Sequence, residues 1–314
     1  MSEFDLIAAL LEELGDEARS ADTILGPGDD CAITRVPDGH ELVSSIDTLV
    51  ADVHFPATAA AELIGFRALC VSFSDVAAMG GRAAFATIAV TLPDENEAWL
   101  RGFARGVARA SSRFGCAVIG GNLARGPLNI SVSAHGYVPA GKALRRTGAA
   151  PGERVCVGGI LGLGAAALDR EDLTSVSLGT ILELEANDAR YPLRRYYAPE
   201  PDFALAARLS TVASAAIDLS DGLLADLGHV CEASGVGARV DLDEVPCHAS
   251  LDRALAGGDD YLLCFALPAE SLERLRADFP SVTAIGEFTA ETGIRDGGGA
   301  LLDNAAGFDH FQDR

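Results

Sequence analysis

The chain has 314 residues, 49% of them hydrophobic, with 34 glycines and a single tryptophan, which suits a turn-rich α/β protein of two domains rather than a coiled coil or a disordered chain. Its 24 basic residues face 46 acidic ones, a formal charge of −22, which argues against nucleic acid and anionic membrane as partners, since both need Lys and Arg. Seven cysteines without a CxxC pair, no basic segment ahead of the first apolar stretch and no long uninterrupted apolar run lead to the expectation of a soluble, cytoplasmic protein with reduced thiols.

In chain order, Phe4, Ile7, Leu10, Leu11 and Leu14 recur at helical spacing, which predicts a helix ended by Gly15. HELVSSIDTLV (40–50) reads as a strand, 59–70 as a helix and ATIAVTLP (86–93) as a strand closed by Pro93. Over 95–114, Trp99, Phe103, Val107 and Ala110 make the apolar stripe of a core-facing helix. CAVIGG (116–121) reads as a strand running into a glycine turn, and LNISVSAHGYV (128–138) alternates like a half-buried strand. GKALRRTGAAPGE mixes Gly, Pro and charge, so a boundary is expected there, with domains 1–140 and 141–314. RVCVGG opens the second domain, and 169–201 reads as helical pieces and surface loop. SAAID (214–218) is a strand, Ser220 a helix N-cap, and Leu223, Leu224, Leu227 and Val230 mark the helix after it. ARVDLD, LLCFALP, a helix over 270–279 and TAIGEF complete a second α/β unit. Ser-Asp recurs in SFSDVAAMG and IDLSDGLLADLG, each placed where a strand or loop enters a helix, a hint of duplication.

Six stretches set an acidic or amide residue beside Gly or Ser: GPGDDCA, SSIDTLVADVHF, SFSDVAAMGG, IGGNLARG, AIDLSDGL and AGGDDY. Carboxylates gathered in turns receive an anion only with hard cations between them, and magnesium bridging to phosphate is the commonest case. Asp29, Asp30, Asp47, Asp75, Asp218 and Asp221 are the candidates. A single Asp in a turn more often caps backbone N–H groups, so the recurrence carries the metal reading. Gly120 and Gly121 would admit a phosphate to backbone N–H groups, with Arg125, Arg145 and Arg146 as neutralising charges, although no Walker A sequence is present. His54 is either a substrate contact or a structural histidine, and no Ser/His/Asp or Cys/His arrangement supports covalent catalysis.

Together GDDCA, the run at 47–55, SFSDVAAMG, GGNLARGPL, AIDLSDGLLADLGH, GGDDY and the terminal GFDHF resemble, in order, the bacterial thiamine-monophosphate kinases. The resemblance implies the two-domain α/β (α+β) fold of the aminoimidazole ribonucleotide synthetase superfamily. It also implies a homodimer through an N-terminal mixed sheet, with ATP and several Mg2+ ions at that domain and a C-terminal α/β domain completing the site. The implied reaction moves the γ-phosphoryl of ATP directly onto thiamine monophosphate. The acceptor's second pKa is near about 6, so no general base is expected. By position, Asp30, Asp47, Asp75, Asp218 and Asp221 are the implied magnesium ligands with Ser45 as an oxygen ligand, and Gly121, Arg146 and Ser220 the nucleotide contacts. His54, Asp259 and Phe308 are the implied thiamine phosphate contacts. Asn122 stands where the family carries a metal-binding Asp, bringing an amide oxygen without charge to metal and nucleotide; Ile46 replaces Thr, Asp259 replaces Glu, and GLGAAA replaces GDSAAG. The alternatives are a nucleotide-binding paralogue with lost or altered activity, or a relative such as selenophosphate synthetase or the hydrogenase maturation factor, whose reactive terminal cysteines this chain lacks.

Overall fold

A computed structural model describes residues 3–248 and 250–302, so Phe308 and the GFDHF motif lie outside the described residues. The chain divides into two compact units. The first takes the chain up to residue 76, 81–141 and 171–200; the second takes 77–80, 142–170 and the chain from 201 onward.

The first unit opens with α1 (Glu3–Leu14), which continues into a 3-10 turn at Gly15–Ala18 rather than stopping. Two short strands, β1 (Thr23–Leu25) and β2 (Ile33–Thr34), pair antiparallel and bracket the GDD turn. Strand β3 (His40–Val50) follows, then α2 (Ala61–Ala78). The helix predicted over 59–70 therefore runs on through SFSDVAA, because Val71, Phe73, Val76 and Ala77 keep burying apolar surface and no breaker comes before Gly80. Strand β4 (Arg82–Leu92), α3 (Glu97–Phe114) and β5 (Ala117–Arg125) form a parallel crossover, and β6 (Asn129–Pro139) completes a four-stranded sheet of order β3-β6-β4-β5. Asn96 caps α3 at Trp99 N–H, Gly115 closes it in the left-handed region, and Leu100, Phe103, Val107 and Ala110 are its buried face.

Strand β5 corrects the expected glycine turn at 120–121. A Cβ on Gly121 would lie 2.1 Å from the Ile88 carbonyl oxygen of β4, so the glycine is what lets the two strands close up and pairing continue to Arg125.

In the second unit β7 (Arg154–Val157) leads to the short helix α4 (Leu163–Ala167). The chain then returns to the first unit with α5 (Leu178–Glu183) and α6 (Tyr191–Tyr197). Back in the second unit come α7 (Phe203–Leu209), β8 (Ala215–Asp218), α8 (Leu223–Ser234), β9 (Gly237–Val240), α9 (Leu251–Ala256), β10 (Leu263–Leu267), α10 (Leu272–Asp278), β11 (Thr283–Thr289) and β12 (Gly293–Asp296). They build a six-stranded mixed sheet of order β12-β9-β11-β7-β10-β8. Alternation splits its core. Val155 and Val157 pack with Leu223, Leu227 and Val230 of α8, while Cys156 packs with Leu205 and Leu209 of α7 and Phe265. A fully buried Leu or Val contributes about 1.5–3 kcal/mol, so these two faces anchor the loops between them.

Ser220 is not the cap of α8. Gly222, at φ 116, occupies that position without a side-chain bond, and Ser220 sits upstream in the loop. The two Ser-Asp pairs thus have different settings, one inside a helix and one in a loop ahead of a helix, and the hint of duplication at these pairs goes with them. None of the described helices is long and apolar enough to cross a membrane.

Candidate functional site

On β3 the residues alternate in exposure. Leu42, Ser44, Ile46, Thr48 and Val50 are exposed, whereas Val43, Ser45 and Asp47 are half-buried and Leu49 is buried. On α2, Ser72 and Asp75 are three residues apart and so share a face. The Ser45 hydroxyl donates to Asp75 Oδ2, and the buried Ser72 hydroxyl, without a hydrogen-bond partner among the described residues, is near enough to Asp47 to favour its ionised form. One hydroxyl–carboxylate bond therefore joins SSID on a strand to SFSD on a helix. Burial, with the charge of Asp75 added to it, pushes the Asp47 carboxyl up to about 6. Neither aspartate lies in a turn; a strand and a helix hold them instead.

The GDD turn of the same unit is exposed, and Asp29 Oδ1 accepts the Asp30 N–H at 2.8 Å. Asp29 and Asp30 border a cavity of about 980 Å³. Its other walls are Ile7 and Leu11 of α1, Phe103 of α3, and Gly121 and Asn122 of β5. The cavity is apolar in depth and acidic at its rim, the usual build of a small-molecule pocket. Asn122 is exposed on β5, and Arg125 donates to the Pro93 carbonyl at 3.3 Å.

In the other unit, taken by itself, β8 ends at buried Asp218 and the chain turns through Leu219, Ser220 and Asp221. Asp226, 2% exposed, accepts the backbone N–H groups of Ser220 at 3.0 Å and Asp221 at 3.1 Å. Burial, then the charges of Asp221 and Asp218, push its carboxyl up to about 7 against those hydrogen bonds. Sequence reasoning missed Asp226. Its signal was a lone acid in the apolar run LLADLGHV, where a buried carboxylate needs donors. Ser220 and Asp221 are half-buried, and Arg146 is exposed with its carbonyl accepting from Ser234 Oγ at 3.2 Å.

The AGGDDY loop is tied to that turn. Asp259 N–H bonds Ser220 O at 2.8 Å and Tyr261 N–H bonds Leu219 O at 2.7 Å. Asp259 and Tyr261 both have positive φ, 64° and 51°, uncommon for residues with a side chain. Asp260 faces the other way and accepts Gly162 N–H on both oxygens, at 3.0 and 2.8 Å. The capping role foreseen for single acids thus falls to Asp226 and Asp260, neighbours of the candidates.

His54 belongs to the first unit. Its N–H bonds Val50 O at 2.9 Å, and its Nδ1 accepts the Val50 N–H at 3.0 Å. When neutral, the ring therefore carries its proton on Nε2.

Among the described residues no three His, Cys, Asp or Glu side chains converge on one point to hold an ion alone. Paired carboxylates with hydroxyls suit magnesium better than a closed protein cage, since it takes one or two carboxylates and leaves other positions to water and phosphate. The repulsion between Asp47 and Asp75 is an electrostatic demand that a divalent cation would meet. The residues present fit such an ion.

Residues 28–138 match the family described as AIR synthase related protein, N-terminal domain, and residues 150–297 match its C-terminal domain. The thiamine-monophosphate kinase of Escherichia coli (strain K12) is 40% identical over 332 residues, covering 98% of this chain and 98% of that protein. The crystal structure of the thiamine-monophosphate kinase from Stenotrophomonas maltophilia K279a matches with a TM-score of 0.84 at 36% identity, covering 96% of this chain and 98% of the other. A structure described as AaThiL complexed with AMPPCP and TMP matches with a TM-score of 0.76 at 28% identity, over 98% of this chain and 97% of the other.

Proposed function

The chain belongs to the thiamine-monophosphate kinases of the AIR synthase related family, and from that membership we propose how its own residues carry out phosphotransfer from ATP to thiamine monophosphate. The observation that carries the assignment of roles is the facing of SSID and SFSD, which puts Asp47, Asp75 and Ser45 in one place with unbalanced negative charge. Asp30, Ser45, Asp47 and Asp75 hold Mg2+ in the first unit, and Asp218 and Asp221 hold it in the second. When bound, magnesium neutralises the polyphosphate and orients it for in-line displacement.

The nucleotide base lies in the cavity beside Gly121 and Asn122, with its phosphates toward the acidic rim. Gly121, Asn122, Arg146 and Ser220 are the nucleotide contacts; His54, Asp259 and Phe308 hold the acceptor. The Nε2–H of His54 donates to the acceptor's phosphate, already ionised at neutral pH, so that no residue has to remove a proton. Positioning and charge screening supply the rate. The exposed Leu42, Ile46 and Val50 on one face of β3 are the surface through which two copies pair as a homodimer. Five buried thiols among seven free cysteines suit a reducing cytoplasm.

The test is formation of thiamine diphosphate by purified protein that light scattering finds dimeric. Product should require both ATP and Mg2+; its absence at saturating substrates, or turnover undiminished in chelator, rejects the proposal.

A second test concerns Asn122. Replacing the amide by Asn122→Asp should lower the Mg2+ concentration for half-maximal rate by about three- to tenfold, since a carboxylate adds charge to the same oxygen position. An unchanged Mg2+ dependence would remove Asn122 from the metal set. The non-catalytic reading and the other superfamily activities are not favoured by relatives of this identity and coverage.

A further inference from the structure

The segment that returns to the first unit brings one side chain to the His54 loop. Tyr196 of α6 is buried, and its hydroxyl donates to the His54 carbonyl at 3.1 Å. Its ring is fixed without that bond, because the Arg67 guanidinium lies 4.1 Å from the ring centroid and Tyr197 packs edge-on at 4.9 Å and 84°. Arg67, buried on α2, also donates to the Tyr196 carbonyl. The hydroxyl is therefore aimed by a rigid base.

The loop it reaches is wound tightly. Asp52 has φ 62°, its N–H bonds Phe55 O at 2.7 Å, and its Oδ1 accepts Ala57 N–H at 2.9 Å. His54 N–H and Nδ1 both engage Val50, and the Tyr196 bond adds the carbonyl. Three polar groups of one histidine are thus held from two sides, an arrangement that fixes the direction of Nε2–H.

We propose that Tyr196 is a positioning residue for the acceptor, acting through His54: its hydroxyl anchors the His54 carbonyl so that the Nε2–H donor is preset for the phosphate of thiamine monophosphate. This rests on His54 contacting that phosphate. A buried tyrosine hydroxyl needs some acceptor for stability alone, and Tyr197 supplies the comparison, since its hydroxyl donates to the Leu173 carbonyl at 2.8 Å, away from the His54 loop.

The experiment is a double-mutant cycle on the full chain with steady-state kinetics in both substrates. Tyr196→Phe keeps the ring and its packing. It should raise KM for thiamine monophosphate about fivefold while kcat and KM for ATP stay within about twofold. Tyr197→Phe should leave all three unchanged. In a His54→Ala background, itself raised in acceptor KM by about tenfold or more, Tyr196→Phe should add nothing. The inference is overturned if Tyr196→Phe leaves acceptor KM unchanged, raises both substrates' KM equally, or has the same effect with and without His54. If His54→Ala does not alter acceptor KM, the reading of His54 falls and this inference with it; a large His54 effect without coupling to Tyr196 overturns the inference alone.

Discussion

Asp47→Asn will nearly abolish turnover while making the magnesium-free protein more stable. Both effects come from the setting of the carboxylate. Asp47 is half-buried on β3, and burial together with Asp75 raises its carboxyl to about 6. A folded-state pKa above the unfolded value means that the ionised form is disfavoured by folding, so the penalty is fully present above the folded pKa and fades as pH falls through it. The amide removes the charge and keeps the shape of the side chain, so at pH 7.5 in chelator the variant should gain about 1–2 kcal/mol in urea unfolding. With Mg2+ and a non-hydrolysable ATP analogue the order should reverse, because only the carboxylate pair binds the ion strongly and ligand binding to the folded state adds stability. Loss of one charge-stabilising group of this kind lowers kcat by about 10² to 10³. A variant that retains kcat, or that is less stable than wild type in chelator, contradicts the role given to Asp47.

The same pair of stretches marks how far the sequence could be read. The residue types and their order pointed to the chemistry, but their settings did not follow from local pattern. SFSD reads locally as a turn because Ser and Asp favour caps; tertiary burial of Val71, Phe73 and Val76 carries the helix through it. Gly121 had a plausible phosphate-binding reason, whereas its Cβ position shows that close approach of Ile88 already requires glycine. Asp260 was hidden beside Asp259, and Asp226 inside an apolar run, since which acid turns inward depends on the donors that reach it, here Gly162 for one and Ser220 and Asp221 for the other. The return of 171–200 to the first unit, and with it Tyr196 at the His54 loop, is a non-local contact that no spacing announces. Helix α3 and strands β3 and β6 were legible because a periodic apolar face needs no distant partner to be recognised.

Gly164→Ala should cost both stability and acceptor binding, and the reason lies in how the second unit holds its loops. GLGAAA puts Gly164 where the family pattern has Ser, and in this chain the neighbouring loop has closed onto the glycine: a methyl on Gly164 would lie 2.1 Å from the Asp259 carbonyl oxygen and 2.7 Å from its carbon. Both are backbone atoms, so the overlap is relieved only by moving the 257–261 loop. That loop has little freedom, with Gly258, Asp259 and Tyr261 at φ 65°, 64° and 51° and with its backbone bonded to Ser220 and Leu219. Displacement would lengthen the Asp260 bonds to Gly162 and disturb the turn that carries Asp221. Overpacking of this kind destabilises by about 1–3 kcal/mol. Because the loops are bonded to each other, kcat/KM for thiamine monophosphate should fall by about 10²-fold, as a misplacement on the order of 1 Å is enough to do. Unfolding midpoints and acceptor kinetics measured on one preparation decide it. A Gly164→Ala protein with wild-type midpoint and wild-type kcat/KM would mean that the loop relaxes without moving Asp259 or Asp221, and their place in the site would lose its structural basis.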